Sequence, residues 1–247
     1  MTDAHAHLDA LEDADAAVER AREAGVGRIV TIGTGIGSCR AALTLAGAHD
    51  GVYAALGIDP HQAGTQEALR VGELRELFGD PKAVAVGETG LDYHYGADRR
   101  SEQRTLFEAQ LGLSRELRLP VVVHTRAANA DTEAMLRAHD GTVVMHCFSE
   151  PELLAAGIER GWYFSFAGNA TFPKAEALRQ AAATVPADRI LAETDSPYLA
   201  PQPVRGRPNE PAHVVHTVVA LARARGEDPA GLAARIDANA TAAFRLP

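Results

Sequence analysis

Asp3-Ala4-His5-Ala6-His7 opens the chain with two histidines spaced to share a task. Side chains alternate along an extended strand, so His5 and His7 face the same way. Two imidazole nitrogens aimed at one point make half of a metal site, and the remaining ligands must come from far downstream. Polar residues that end apolar runs supply them: Glu88, His124, His146 and Asp195. Singly, each has an ordinary explanation: a paired acid, a satisfied core histidine, a helix cap. Together they use four of the chain's ten histidines, and one shared site explains that better than coincidence.

Four imidazoles and two carboxylates exceed what one tetrahedral ion takes, but they serve two ions if a carboxylate bridges. Glu88, from the middle of the order, is the expected bridge. His5, His7 and Asp195 would complete one site, with His124 and His146 completing the other. Nitrogen and oxygen donors without thiolate suit zinc, manganese or nickel and leave magnesium open. Such a pair of ions activates water and polarises the bond that it attacks, so no protein nucleophile is required. Asp195 and Glu88 are therefore the expected catalytic residues, Asp195 orienting the water and accepting its proton. Cys147 would alternate to the opposite face as packing.

Strands must carry these residues to one pole. Apolar runs at 1–7, 28–33, 52–58, 83–88, 120–124, 142–146, 162–166 and 189–195 alternate with amphipathic stretches at 13–24, 38–48, 65–78, 101–117, 131–139, 152–159 and 174–184. Continuous runs such as Val121-Val122-Val123 suit strands covered on both faces. Eight strand–helix units without a linker predict a single α/β domain over residues 1–247, a (β/α)8 TIM barrel with its chemistry at the C-terminal strand ends. A doubly wound sheet is the second choice. The segment from Glu210 is expected to be helical, with Pro229 separating two helices.

Composition narrows the partners. The chain has 247 residues, 46% hydrophobic and 23% charged, enough for a full core. Its net charge of −9 argues against a broad electrostatic grip on duplex nucleic acid. Bound cations can still supply local positive charge for a phosphorylated substrate. Two cysteines, Cys39 and Cys147, make no disulfide framework. The opening residues lack a signal pattern, and no apolar run approaches the roughly 20 residues that span a bilayer. A cytoplasmic monomer with no membrane partner is expected.

Five ordered motifs give the chain a resemblance. Asp3-Ala4-His5-Ala6-His7, Gly87-Glu88-Thr89-Gly90-Leu91-Asp92-Tyr93, His124-Thr125-Arg126, His146-Cys147-Phe148-Ser149 and Glu193-Thr194-Asp195-Ser196-Pro197-Tyr198-Leu199 resemble the TatD family of metal-dependent deoxyribonucleases, within the amidohydrolase superfamily. Arg207-Pro208-Asn209-Glu210-Pro211 is similar to that family's Asn-Glu-Pro segment. The resemblance implies a two-metal barrel that hydrolyses DNA phosphodiesters, often as a 3′-to-5′ exonuclease on single strands. It implies the same ligands, His5, His7, Glu88, His124, His146 and Asp195. Asp92 and Glu193 are expected to support them, Glu193 behind Asp195.

One segment departs from the family pattern. Gly57-Ile58-Asp59-Pro60-His61 carries an acid where the family shows a histidine, which bears on how phosphate is handled. Arg126 would share the face of His124 and bond phosphate, and Asp59, His61, Arg207 and Asn209 join the expected substrate contacts. Asn169, Lys174 and Arg205 add to a basic rim near Arg207. The same metal pair could attack an acyl carbon, so an ester or amide hydrolase such as an aminoacyl-tRNA deacylase is the alternative; a non-catalytic barrel is a third. Gly33-Thr34-Gly35-Ile36-Gly37 reads as a tight turn rather than a dinucleotide loop, and His213 and His216 as an ordinary helix face.

Overall fold

The valine triplet at 121–123 shows how the molecule is built. In a computed structural model describing residues 1–247, Val121 and Val123 join the large apolar layer under the helices, while Val122 joins a smaller cluster inside the barrel. Val143, Val144 and Met145 divide in the same way. Strands buried on both faces need this continuous apolarity, and a period of two distributes it between the layers.

Eight parallel strands form one sheet in sequence order: β1 (Thr2–Ala6), β2 (Arg28–Gly33), β3 (Val52–Leu56), β4 (Ala83–Asp92), β5 (Val121–Arg126), β6 (Val143–Met145), β7 (Tyr163–Phe166) and β8 (Ile190–Ala192). The crossover helices are α1 (Ala14–Glu23), α2 (Ile36–Ala48), α3 (Val71–Leu77), α4 (Arg100–Leu117), α5 (Asn129–Arg137), α6 (Leu154–Glu159) and α7 (Glu176–Thr184), followed by α8 (Val214–Arg225) and α9 (Pro229–Phe244). The fold is the expected (β/α)8 barrel. Pro229 opens α9 as a first-turn proline, where its missing N–H costs nothing, and Asp228 caps it. Ala240, Ala243, Phe244 and Leu246 pack on the lumen cluster and plug its lower end.

Closure between the first and last strands does not use a regular ladder. β8 ends at Ala192, and the segment beyond it meets β1 through an Ala6–Ser196 bridge. The His7 amide donates to the Ser196 carbonyl (2.8 Å), and the Asp195 amide donates to that of His5 (2.9 Å). Buried Asp3 accepts from the Thr194 amide (2.9 Å) and hydroxyl (2.6 Å). These bonds seat both histidines of β1 beside Asp195.

Two glycines of β4 allow close approach to β5. Gly87 and Gly90 have φ of +136° and +139°. A Cβ on Gly87 would lie 2.5 Å from the Val122 carbonyl oxygen, and one on Gly90 would run into that of His124. The Gly-Glu-Thr-Gly motif thus brackets Glu88 with positions that only glycine fits. No helix is long and apolar enough to cross a membrane.

Gly90→Ala is expected to destabilise the protein by about 3 kcal/mol or more, read from urea unfolding. A second expectation concerns His139, which is buried with neither ring nitrogen bonded. Burial, helped by Arg115, holds its pKa below the ordinary 6.5, so the unfolded chain binds the proton more readily. Stability from this residue is lost as pH falls through that unfolded value. His139→Leu should therefore flatten the decline in urea midpoint between about pH 7 and 5; an unchanged slope contradicts this account.

Candidate metal centre

Alternation aims most of the cluster. Val122 faces the lumen, so His124 does too; Val144 faces it, so His146 follows; Leu191 faces it, so Glu193 follows. β1 breaks the rule once. Ala4 lies in the lumen cluster and Ala6 in the outer layer, and the register with β2 slips between Asp3 and Ala6. That irregularity turns His5 and His7 inward. β4 slips against β5 between Val86 and Thr89, where Glu88 sits.

Strand ends differ from the expected ones. β4 runs past Glu88 to Asp92, making Glu88 a mid-strand residue, whereas His7, His146 and Asp195 lie just beyond their strands. Asp195 reaches its place through a left-handed backbone, φ +54°.

Glu88 occupies the centre. Its Oε2 lies 3.5 Å from His5 Nε2 and 3.7 Å from His7 Nε2. Asp195 Oδ1 lies 3.7 and 3.4 Å from the same two nitrogens. The other oxygen, Oε1, lies 3.0 Å from His124 Nδ1 and 3.1 Å from His146 Nε2. The structure thus brings all six expected residues together, in two groups that share one carboxylate.

The spacing suits metal ions. His5 Nε2 and His7 Nε2 are 3.3 Å apart, as are His124 Nδ1 and His146 Nε2. Donors about 2.0–2.1 Å from one tetrahedral ion stand roughly 3.3–3.4 Å from each other. Nitrogen lone pairs turned toward one another repel unless positive charge lies between them. In the bare protein protons supply that charge. Burial alone would raise the Glu88 pKa, but the surrounding imidazoles, His146 foremost, hold it well below the usual carboxylate range. Burial likewise opposes protonation of His124, yet its bonds to Asp92 and Glu88 lift it to about 9. His5, fully buried beside His146, is pushed down. A cation bound there would supply the same charge in place of these protons.

Buried groups hold the histidines from behind. Asp92 Oδ2 lies 3.2 Å from His124 Nε2. Its other oxygen accepts the His94 and Tyr95 amides, both at 2.9 Å. Glu193 departs from expectation: its Oε1 lies 3.1 Å from His146 Nδ1 and accepts the Cys147 amide (2.8 Å), so it serves His146 and not Asp195. The reason is alternation, which points Glu193 across the lumen.

Two glutamines on α4 escaped the sequence reading. Gln103 bonds the Asp92 amide (2.7 Å) and carbonyl (2.9 Å). Gln110 bonds the Ile58 amide (2.8 Å), its carbonyl (2.8 Å) and Thr89 Oγ1 (2.7 Å). Their signal was present: two amides on one buried helix face among Leu106, Phe107 and Leu111.

At the rim, Asp59 is half-buried and caps a short turn through the Gln62 amide (3.2 Å). Burial, then the charge of Glu88, raises its pKa to about 6. His61 is half-exposed, 3.8 Å from Asp92 Oδ2. Arg126 ends β5 exposed, its guanidinium 4.8 Å from the Tyr95 ring centroid. Arg207 and Lys174 are exposed on the loops after β8 and β7, and Arg205 covers Phe172. Asn169 Nδ2 bonds Ser149 Oγ (2.9 Å).

Two expectations need correcting. Asn209 is buried, not a phosphate contact: its Nδ2 donates to the carbonyls of Thr194 and Tyr198, and its Oδ1 serves the Glu210 amide and His213 Nδ1. No polar atom of its side chain is left for a ligand. Cys147 is not on the far face either. Its backbone turns at φ +43°, and its half-buried thiol lies within the field of Asp195 and Glu193.

Comparison with known proteins gives one family. The sequence profile described as "TatD related DNase" matches residues 2–245. A Mycobacterium tuberculosis protein named uncharacterized metal-dependent hydrolase TatD is 37% identical over 100% of this chain and 98% of its own length. A Cronobacter sakazakii protein named 3′-5′ ssDNA/RNA exonuclease TatD is 37% identical, covering 94% of this chain and 92% of its own. The crystal structure of YjjV, a TatD homologue from Escherichia coli K12, superposes with a TM-score of 0.94 at 29% identity, over 100% of this chain and 98% of that one.

Glu193→Gln removes the charge behind His146 while keeping an oxygen for the Cys147 amide. Zinc or manganese affinity measured by calorimetry is expected to fall about 10–100-fold, with the fold unchanged by circular dichroism.

Proposed function

We propose that the chain, which belongs to the TatD related DNase family and is a metal-dependent hydrolase, cuts phosphodiester bonds of single-stranded DNA, removing nucleotides from the 3′ end. The observation that carries this is the sharing of Glu88 between two donor groups, one on each carboxylate oxygen. His5, His7, Asp195 and Glu88 would hold one divalent ion, and His124, His146 and Glu88 a second. Bound there, such ions supply an activated water and polarise the phosphoryl oxygen.

The protein's own groups do the rest. Both β1 imidazoles engage Oδ1 of Asp195, leaving Oδ2 to orient water and take its proton. Burial opposes ionisation of Asp195, but His7 and the other imidazoles hold its pKa below the ordinary value, so it is a base at neutral pH. Asp92 and Glu193 fix the rings of His124 and His146 and raise their basicity. At the rim, exposed Arg126, Arg207 and His61 offer donors to phosphate oxygens, and Asp59 stands among them as an acid that phosphate must pass. The exonuclease polarity is supported by the name of the Cronobacter relative.

Chelation should abolish cleavage of 3′-labelled single-stranded DNA, and added manganese or magnesium should restore it. Label is expected to leave as mononucleotide from the 3′ end and not from a 5′-labelled strand. Asp195→Asn should lower kcat by about 10²–10⁴ with KM little changed. Charged tRNA run in parallel separates the acyl-hydrolase alternative: release of the amino acid with the DNA left intact refutes the nuclease reading.

A further inference from the structure

Resting on the nuclease reading, we infer that Tyr95 and Tyr198 are stacking platforms that grip the nucleobases on either side of the scissile phosphate. The chain has five tyrosines. Tyr93 and Tyr163 are buried and Tyr53 is half-buried, whereas Tyr95 is 68% exposed and Tyr198 58%. Among the other large apolar side chains only Leu69 and Val219 are exposed, and only Leu69 more so than the two tyrosines. Aromatic rings left in water beside the donor cluster offer a face on which a planar ligand can stack.

Topology puts the two rings on opposite sides of the metal centre. Tyr95 lies in the loop after β4 and Tyr198 in the loop after β8, half the circumference apart in an eight-stranded ring. Tyr198 meets the edge of His7, centroids 5.9 Å apart. Tyr95 stands 6.1 Å from His61, which stands 6.1 Å from His124. Each half of the donor cluster therefore has one exposed ring beside it.

Both rings are anchored to the site. The Tyr95 amide donates to Asp92 Oδ1 (2.9 Å), and its ring carries the Arg126 guanidinium 4.8 Å from its centroid and His94 edge-on at 4.6 Å. The Tyr198 amide donates to the Asp195 carbonyl (2.8 Å), and its own carbonyl is held by Asn209. Any distance between ring and reacting phosphate is thus set through Asp92, which borders the cluster, and Asp195, which belongs to it. This gives buried Asn209 a purpose: it positions Tyr198.

A chain of net charge −9 cannot hold a strand through broad contact with its phosphates. Stacking provides a grip that charge does not. It contributes about 1–3 kcal/mol per base, independent of sequence, because every base has a π-face. One platform takes the base that stays and the other the base that leaves. Paired bases, stacked on their neighbours, present neither face, so the clamp selects single strands.

The test uses the full-length enzyme with manganese and oligothymidylates carrying a tetrahydrofuran abasic residue on the 5′ side, the 3′ side or both sides of the terminal phosphodiester. Tyr95→Ala and Tyr198→Ala should each raise KM on the intact strand by roughly 5–150-fold, the equivalent of one lost stack. In wild type, one abasic residue should cost the same, and the alanine variant facing that side should lose nothing further. All variants should match wild type on the doubly abasic strand, which also shows that their centres are intact. Tyr→Phe at either position should stay within about twofold, since the ring remains. Fluorescence anisotropy of labelled oligothymidylate in chelator should show the same losses without turnover. Wild-type KM for both alanine variants, or equal penalties on intact and abasic strands, overturns the clamp and leaves the nuclease reading standing. No cleavage of any strand by wild type overturns both.

Discussion

Glu88 is a carboxylate held at the bottom of a barrel mouth between two pairs of imidazoles, and its charge organises everything around it. Burying an anion is costly unless opposite charge meets it on every open side. Here His5 and His7 meet one oxygen and His124 and His146 the other. The four rings come from the first, fifth and sixth strands, so no local segment could assemble them. Once the barrel closes, the same geometry that stabilises the acid also gathers donors at metal-binding distances. A cation held there would take the role that protons otherwise fill, so metal loading would be coupled to pH.

Closure is therefore part of the chemistry. β1 and β8 share no regular ladder; they are joined by the Ala6–Ser196 bridge and by Thr194 bonding Asp3. Burial pushes the Asp3 carboxyl up to about 8, a cost the fold accepts at its seam. The seam is where His5 and His7 come to lie against Asp195. Irregular register in β1 and β4 serves the same end, because a regular pleat would have sent these side chains into the helix layer. The strands and the residues just past their ends carry the donors, while the loops further out carry the residues open to substrate.

Much of this was readable from residue order. Val121-Val122-Val123 before His124, and Val143-Val144-Met145 before His146, spell strands buried on both faces with a polar residue at the exit. The His-x-His pair was legible because its two members share a face in any extended segment. Asp92 was expected near the cluster, but only the folded chain shows that its partner is His124. Glu193 was placed behind the wrong neighbour, since adjacency in sequence suggested Asp195 while the pleat directs it to His146. Asn209 looked like a loop residue free for phosphate, and only its burial reveals four hydrogen bonds already made. Gln103 and Gln110 were read as part of an amphipathic helix, although two amides on its apolar face were the hint.

What the sequence alone determined was which six side chains meet at the barrel mouth, the alternation that makes strands, and the number of strand–helix units. Those are legible in local properties, side-chain type and a period of two. The tertiary structure decided which strand ends become neighbours, which oxygen of Glu88 faces which histidine, and that Tyr95 and Tyr198 stand across the mouth from each other. The physical reason is that these relations depend on closing a ring and on slips of register within it. A slip of one residue reverses the face of every side chain that follows, and no composition or spacing reports it until the strands are paired.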